Sequence, residues 1–582
     1  MGGVVVVVAC LVMLSLVVVP SDGVVITTDT HWAGGFQGTV LFNVTQNLDG
    51  WTMHFVFDQP VYTFFTWQGL PENVSEHEVI VNSTQHNALQ ERGATVKINF
   101  IGHANGTATP DVCVFIEEIG NDDCNDSVID VQGLPSSASK DYADALRKSI
   151  LFYTAQRSGQ LPADNQVHWR WDSALEDCVT GGWYDGGDHV KFSLPMASAT
   201  TLLLWGLTKF KAGYVAAGQL DQMYDSVSWP LDYLQRTWDA YTQQLVVQVG
   251  EVTSDHAYWG RPEDMTMYRP CFKVGPDAPG SDVAGQAAAA LALGAIVFHE
   301  KGDTGDASKM LQAAETLYTF ASTYLGLYTD TVTDASNYYR STGYKDDLCV
   351  AAMWLYKATQ RPHYLTDAVS NLDNTFAWAV DWNDNKVLCQ VMLYEETGED
   401  RYRAAVEGFL TGWLPGGHVT YTPCGLAWFQ EHGSNTNAAF VALLAAEAGI
   451  RNDTYRQWAI TQINYILGDN SVNGGCFSFQ IGHGHSYPRF PHHRASSCPD
   501  LPQIPCDVTN LNSSDPNPNI LVGAVVGGPA VDDSYSDVRD DNVHNGVALV
   551  FNAGFQSAVA GIVQLQAAGN LPTVNSSCPC PT

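Results

Sequence analysis

The pattern of apolar and polar positions divides the chain in two. Between residues 24 and 119, "GTVLFNVT", "WTMHFVFD", "EVIVNST" and "ATVKINFIG" are short, rich in β-branched and aromatic residues, and separated by turn formers. In "TVKINF" apolar and polar residues alternate, the period of a strand with one face buried. This predicts an all-β sandwich over 24–119. Residues 120–138 lie in "GNDDCNDSVIDVQGLPSSASK", polar and small, which predicts a linker. From 139 to 572 the apolar spacing changes to three and four. "DYADALRKSILFYTAQRSG" follows that spacing and stops at Gly159. "SDVAGQAAAALALGAIVFHE", "DDLCVAAMWLYKATQ", "NTNAAFVALLAAEAG" and "DTYRQWAITQINYILGD" are rich in alanine and apolar on more than one face. Such helices are buried on several sides, so a double ring of helices is expected rather than a simple bundle. The long loops between them carry most of the Trp, His and Pro, and loops on a rigid scaffold are where a site is expected. Residues 573–582 read as a tail.

Composition narrows the function classes. The chain has 62 acidic and 28 basic residues, a formal charge of −34, which sets nucleic acid and anionic membrane aside as partners. Only 15% of residues are charged while 11% are aromatic, which suits a large core with rings to spare for a flat neutral ligand such as a sugar. Residues 1–23 hold the uncharged apolar run "MGGVVVVVACLVMLSLVVVP" followed by the small residues Ser21 and Gly23. They read as a signal peptide cleaved before Val24, with a membrane anchor as the alternative. No later segment reads as long and apolar enough to span a bilayer. Secretion to the extracellular space is therefore expected. It fits the N-x-Ser/Thr sequons at Asn43, Asn73, Asn82, Asn105, Asn125, Asn452, Asn512 and Asn575. It also fits thirteen cysteines, of which Cys10 leaves with the leader and twelve can pair. Cys113 with Cys124, and Cys498 with Cys506, are local candidates for pairing. There is no C-x-x-C pair to hold a structural zinc.

Four stretches carry candidate chemistry. "TGGWYDGGDHVKF" places Asp185 and Asp188 three residues apart in a glycine-rich turn, where both carboxylates can aim at one point. Such a pair can hold and deprotonate a water; a cation loop or a solvated turn uses the same residues. "FQIGHGHSYPRFPHHR" offers His483, His485, His492, His493 and Arg494. These spacings suit a zinc site, or hydrogen bonds from His492 and Arg494 to sugar hydroxyls. "DHAYWG" puts His256 and Trp259 on a loop. In "AWAVDWN", Trp378 is either core or a flat platform for a sugar ring.

Together these stretches resemble glycoside hydrolase family 9, the inverting β-1,4-glucanases. The resemblance runs from about Ser139 to Leu571 and rests on "GGWYDGGDHVKF", "DHAYWGRPEDM", "APGSDVAGQAAAA", "TGYKDDL", "NYILGDN", "FPHHRASS", "DSYSDVRDD" and "FNAGF", all in order. It implies an (α/α)6 barrel, Asp188 as general base and Asp185 as its partner in positioning water. It further implies His256, Trp259, Trp378, His492 and Arg494 as contacts to a β-1,4-glucan, a monomer, and no required cofactor. A structural calcium is implied at Thr342, Gly343, Asp346, Asp347 and Asn383, the last replacing an Asp and so weakening affinity. The β region resembles a family 2 carbohydrate-binding module. That resemblance implies surface rings at Trp32 and Trp67 and a buried Trp51, with no third ring over residues 83–89. An unspecialised β spacer is the alternative.

The departures from the family pattern cluster. The family's last helix reads N-E-V-A-x-D-Y-N-A-G-F, with its Glu as general acid, and this chain reads "NGVALVFNAGF". Gly546 stands in the acid's place, Val550 in the Asp's and Phe551 in the Tyr's. The sequence sets Gly546 inside a helix, where glycine weakens it by about 1 kcal/mol. Ser341 and His432 each stand where a Trp is usual, and the segment after His432, at Asn435, is shorter. Gln286 stands where Glu is common. Two functions are expected from this pattern: a glucan-directed protein with hydrolysis lost or severely impaired, or an active endoglucanase with a substitute acid. Asp540 and Asp541 are more than a helical turn from Gly546 and are not expected to substitute.

Overall fold

The computed structural model describes residues 24–116 apart from 33–34, 45, 58, 67–69, 76, 84–87, 91, 93 and 105–111, and residues 140–580 apart from 373–376, 378, 430–432 and 500–503. The leader, the linker, Trp67, Trp378, Cys124 and His432 lie outside the described residues. The chain divides into two compact units, Met1–Gly133 and Leu134–Thr582.

The first unit is built from β1 (Val24–Trp32), β2 (Gly35–Asn43), β3 (Thr52–Phe57), β4 (Val61–Thr66), β5 (Leu70–Ser75), β6 (Glu78–Asn82), β7 (Thr95–Ala104) and β8 (Val112–Ile116). One sheet has the order β1-β2-β7-β4 and the other β8-β3-β6-β5, with every pair antiparallel. The alternation in the sequence decides which face is buried. Val96, Ile98 and Phe100 of β7 are buried while Lys97 between them is exposed. The two sheets meet through aromatic rings: Phe55 of β3 lies 4.7 Å from Phe64 and 4.9 Å from Phe100 of the other sheet. Trp51 is buried against Phe42. Trp32 ends β1, opposite Gly35.

Twelve longer helices among the described residues make the second unit. They are α1 (Tyr142–Ala155), α2 (Ser193–Lys209), α3 (Leu220–Thr237), α4 (Ser281–Lys301), α5 (Thr304–Thr323), α6 (Lys345–Thr359), α7 (Pro362–Asn371), α8 (Lys386–Thr397), α9 (Asp400–Trp413), α10 (Gly433–Glu447), α11 (Asn452–Ile466) and α12 (Leu549–Ala567). The even-numbered helices close an inner ring: α2 packs on α4, α4 on α6, α6 on α8, α8 on α10, α10 on α12, and α12 back on α2. Each odd-numbered helix packs outside an inner one. This explains the alanine-rich runs. An inner helix touches two ring neighbours and an outer helix, so small apolar residues are needed all round. α4 is the clearest case and also corrects a reading of the sequence. Its 21 residues are long and apolar enough to cross a bilayer, but the helix is enclosed by α2, α5 and α6, with 94% of its most apolar window buried.

Five disulfides are present among the described residues: Cys178–Cys271, Cys349–Cys389, Cys424–Cys578, Cys476–Cys580 and Cys498–Cys506. The last was a candidate from the sequence. Two others tie residues 573–580 to the barrel, where the Cys580 backbone N–H also donates to Asp469.

Candidate active site

Three loop segments knit together at one end of the barrel. Gly186 pairs with Ala548, His492 pairs with Gly546, and the Arg494 backbone N–H donates to the Gly187 carbonyl at 3.0 Å. The Leu549 N–H donates to the Asp185 carbonyl at 3.1 Å. The paired glycines of "DGGD" make this approach feasible. A Cβ on Gly186 would overlap the Val547 carbonyl oxygen, and one on Gly187 would overlap that of His492. With bare backbone there, the turn fixes Asp185 and Asp188 beside the segment that leads into α12.

The two carboxylates sit in contrasting surroundings. Asp185 is buried; one oxygen accepts from the Tyr339 hydroxyl, and the other has no hydrogen-bond partner. Burial, reinforced by the charge of Asp188, pushes Asp185 well above the usual carboxylate range, against the pull of the Tyr339 hydrogen bond. Burial works on Asp188 in the same direction but is outweighed. The His256 Nε2 at 3.0 Å, the charge of Arg494 and the Val190 backbone N–H at 3.2 Å together hold Asp188 below the ordinary range. The pair therefore offers one charged, partly accessible carboxylate at Asp188 beside a carboxyl that favours its proton.

Around Asp188 the structure brings together His256, Trp259, His492 and Arg494. His256 Nδ1 lies 3.2 Å from the Tyr338 hydroxyl and its ring meets Tyr338 edge-on, so Tyr338, His256 and Asp188 form a chain from the exposed rim to the half-buried carboxylate. His492 Nδ1 donates to the Arg539 carbonyl at 2.7 Å, leaving Nε2 as an acceptor. Trp259 packs edge-on to His492, donates from its indole N–H to Ser497 and lies under the Arg494 guanidinium. Arg494 is itself buried and donates to Asp255 at 2.9 Å. Burial, then the charge of Asp188, raises Asp255 to about 6 despite that ion pair.

The zinc reading of the histidine tract fails on geometry. His493 accepts from the Ser496 backbone N–H and hydrogen-bonds Gln156, and burial depresses it to about 3. His483 lies against Asp144. Among the described residues the cluster with ligand-like spacing is instead Asp188, Asp255 and His256, with one ligand atom of each within 4.8 Å of the others. Arg494 already occupies an oxygen of Asp255 and opposes a cation there.

The expected calcium residues are gathered only in part. Thr342, Gly343, Asp346 and Asn383 line one concavity of about 400 Å³ together with Asp384. Asn383 Oδ1 accepts from both the backbone N–H and the hydroxyl of Thr342, and Asp346 accepts from the Asn385 N–H. The Asp347 carboxylate, by contrast, is turned into the protein, where Oδ1 accepts from Gln286 at 2.8 Å and Asn385 at 3.2 Å. The residue standing where Glu is common thus supplies an amide donor to a buried carboxyl. Ser341 is buried in the same loop and donates to the Gly343 carbonyl at 2.7 Å.

The region around Gly546 departs from the sequence reading. The helix does not contain it: α12 starts at Leu549, and Gly546 precedes it in the segment that bridges to His492. Helix propensity therefore does not bear on this glycine. Val550 is buried, and Phe551 is half-buried against the core.

A model of the family described as Glycosyl hydrolase family 9 matches residues 142–559. The chain belongs to this family. Endoglucanase A of Bacillus pumilus is 40% identical over 455 residues, 74% of this chain and 67% of that protein. Endoglucanase B of Cellulomonas fimi is 40% identical over 460 residues, 74% of this chain but 43% of that longer protein. Among solved structures, the endoglucanase of the termite Nasutitermes takasagoensis superposes on 74% of this chain and all of its own, with a TM-score of 0.71 and 44% identity. Endoglucanase CelQ of Clostridium thermocellum, solved with cellotetraose, matches 75% of this chain and 72% of its own with a TM-score of 0.65 and 35% identity. The double ring of helices is accordingly the (α/α)6 barrel of family 9.

Sequence reasoning missed Tyr338, Tyr339 and Asp255. The tyrosines sit in the polar loop "SNYYRS", where a doubled aromatic was the only signal. Asp255 was visible beside His256, but its partner Arg494 lies 239 residues further on.

Proposed function

We propose that this protein is a secreted, β-1,4-glucan-directed member of family 9 whose capacity for hydrolysis is lost or severely reduced. The observation that carries the reading is the asymmetry of the site. The half that handles water is complete, with a charged Asp188 held by His256 beside Asp185. The half that would protonate the leaving sugar falls at Gly546, which has no side chain.

An inverting glycosidase needs two carboxyls about 6.5–9.5 Å apart, one on each side of the scissile bond. Asp188 can accept a proton from a water that Asp185 helps to orient, and Tyr339 fixes Asp185. Without an acid the leaving sugar departs as an alkoxide. General acid catalysis contributes about 10²–10⁴-fold, or roughly 3–5 kcal/mol. Binding is less affected, because His256, Trp259 and His492 are retained around Asp188. The cello-oligosaccharides bound to CelQ support a β-1,4-glucan as ligand here. We assign the β unit as a carbohydrate-binding-like module, residues 1–23 as a signal peptide, and the concavity at Thr342, Asp346 and Asn383 as a weakened calcium site.

The deciding experiment compares cellotetraose with cellobiosyl fluoride, whose leaving group departs without protonation. Turnover of the fluoride alone is expected. Activity on both would establish the second reading, an active endoglucanase with a substitute acid. That reading has one observation in its favour: His544, two residues from Gly546, is paired through Nδ1 with Asp541 at 2.8 Å. Loss of cellotetraose activity in His544→Ala would then identify the substitute.

A further inference from the structure

We infer that position 546 is closed to any side chain by the backbone itself, so that the vacancy at the acid position belongs to a rebuilt segment rather than to a single residue. Its catalytic half rests on the reading of Gly546 as the acid position; its structural half does not.

A Cβ placed on Gly546 would overlap the carbonyl oxygen of Asn542 and lie 3.1 Å from the carbonyl carbon. The obstacle is main chain, not the tip of a flexible side chain. Gly546 is not among the glycines with positive φ, so space rather than backbone conformation demands glycine here. The obstructing carbonyl sits in a turn tied from several sides. The Asp541 carboxylate accepts the N–H groups of Val543 at 3.0 Å and His544 at 2.9 Å, and pairs with the His544 ring. The Asn545 N–H donates to the Asp541 carbonyl at 3.1 Å, closing the turn around Asn542. The Asn545 side chain accepts from the Tyr535 hydroxyl and donates to the Ser536 carbonyl.

The far side of the segment is tied as well. The His492 N–H donates to the Asn545 carbonyl, the Gly527 N–H to the Gly546 carbonyl and the Gly528 N–H to the His544 carbonyl, at 2.8 to 2.9 Å. Moving Asn542 aside to admit a side chain therefore strains bonds that also position His492. A glutamate at 546 alone cannot take a productive place.

Three measurements test this. Gly546→Ala, which adds only the Cβ, is expected to lower Tm by about 2 °C or more, as overpacking against fixed atoms does. The drop is expected to shrink in the Asp541→Ala background, where the turn is loosened. An unchanged Tm in Gly546→Ala, or strict additivity of the two changes, would overturn the inference. Gly546→Glu is expected to leave cellotetraose hydrolysis within about threefold of the parent, whereas a gain of 10²-fold or more, the reach of an acid catalyst, would overturn it. Should the variants fail to fold, hydrogen exchange on the unaltered protein decides. Slow exchange at Val543, His544 and Asn545 is expected, and exchange at the rate of an open loop would refute the closed turn. If the parent turns over cellotetraose as well as cellobiosyl fluoride, the functional proposal falls while the Tm and exchange outcomes still judge this one.

Discussion

Asp188 is the residue whose charge matters most, and its neighbours set that charge. Burial opposes ionisation, and the His256 hydrogen bond is the largest influence acting the other way. Replacing His256 by Ala should move the acid limb of the fluoride pH profile upward, since that limb reports loss of the base by protonation. A limb that stays in place would mean that Arg494 and the Val190 N–H suffice to keep Asp188 charged. Asp188→Asn should abolish fluoride turnover by 10²-fold or more while binding of cellotetraose, read by calorimetry, persists. Tyr339→Phe leaves both oxygens of a buried carboxyl without a protein donor. A loss of about 1–3 kcal/mol in denaturant unfolding is expected, and a smaller one at low pH where Asp185 is neutral. The sign follows from the bond itself: the Tyr339 hydroxyl favours the ionised form of Asp185 against the burial that raises it, so its removal costs most at high pH, where Asp185 is charged, and least below the unfolded value.

At the scale of elements, the inner and outer helices should respond differently to the same change. Leu291 lies fully buried in the inner helix α4. Leu291→Ala is expected to cost about 2–5 kcal/mol in denaturant unfolding, because a side chain enclosed on all sides leaves a cavity that its neighbours cannot fill. Changes at exposed outer-helix positions such as Lys309 should stay within about 0.5 kcal/mol. The C-terminal segment is a second such element. Cys424–Cys578 and Cys476–Cys580 close loops of 154 and 104 residues, so opening either is expected to cost several kcal/mol, about 4–5 on the loop-entropy model. Thermal unfolding of Cys578→Ser and Cys580→Ser checks this.

For the whole molecule, each of the two units has its own apolar core, one built of facing sheets and one of paired helices. Calorimetry should therefore resolve two unfolding transitions rather than one. Two raised carboxyls, Asp282 and Asp255, should favour the folded helical unit less as pH rises from about 4 toward 7, so Asp282→Asn should flatten its stability profile over that range. Asp282, fully buried, is pushed up to about 7 chiefly by burial, and Asp255 to about 6. Both favour the folded state while protonated, and lose that advantage as pH rises through those values.

Local order in the chain specified a good deal by itself. Strict alternation in "TVKINF" marks a strand because successive side chains point to opposite faces. Alanine-rich runs without a polar face mark helices enclosed on all sides, which the closed ring of α2, α4, α6, α8, α10 and α12 supplies. The "DGGD" turn announced paired carboxylates because their spacing and its glycines are adjacent in sequence. What local order could not carry is any relation made by closing the ring. Tyr339 meets Asp185 across 154 residues and Arg494 meets Asp255 across 239. Asp347, read as a ligand from its place in a run, is claimed by Gln286 on a neighbouring helix. Gly546 is the sharpest instance. The sequence showed that a side chain was missing and set the residue in a helix. Only the tertiary structure placed it before α12, with the Asn542 carbonyl where the side chain would begin, because excluded volume is decided by atoms that the turn and its ties bring together.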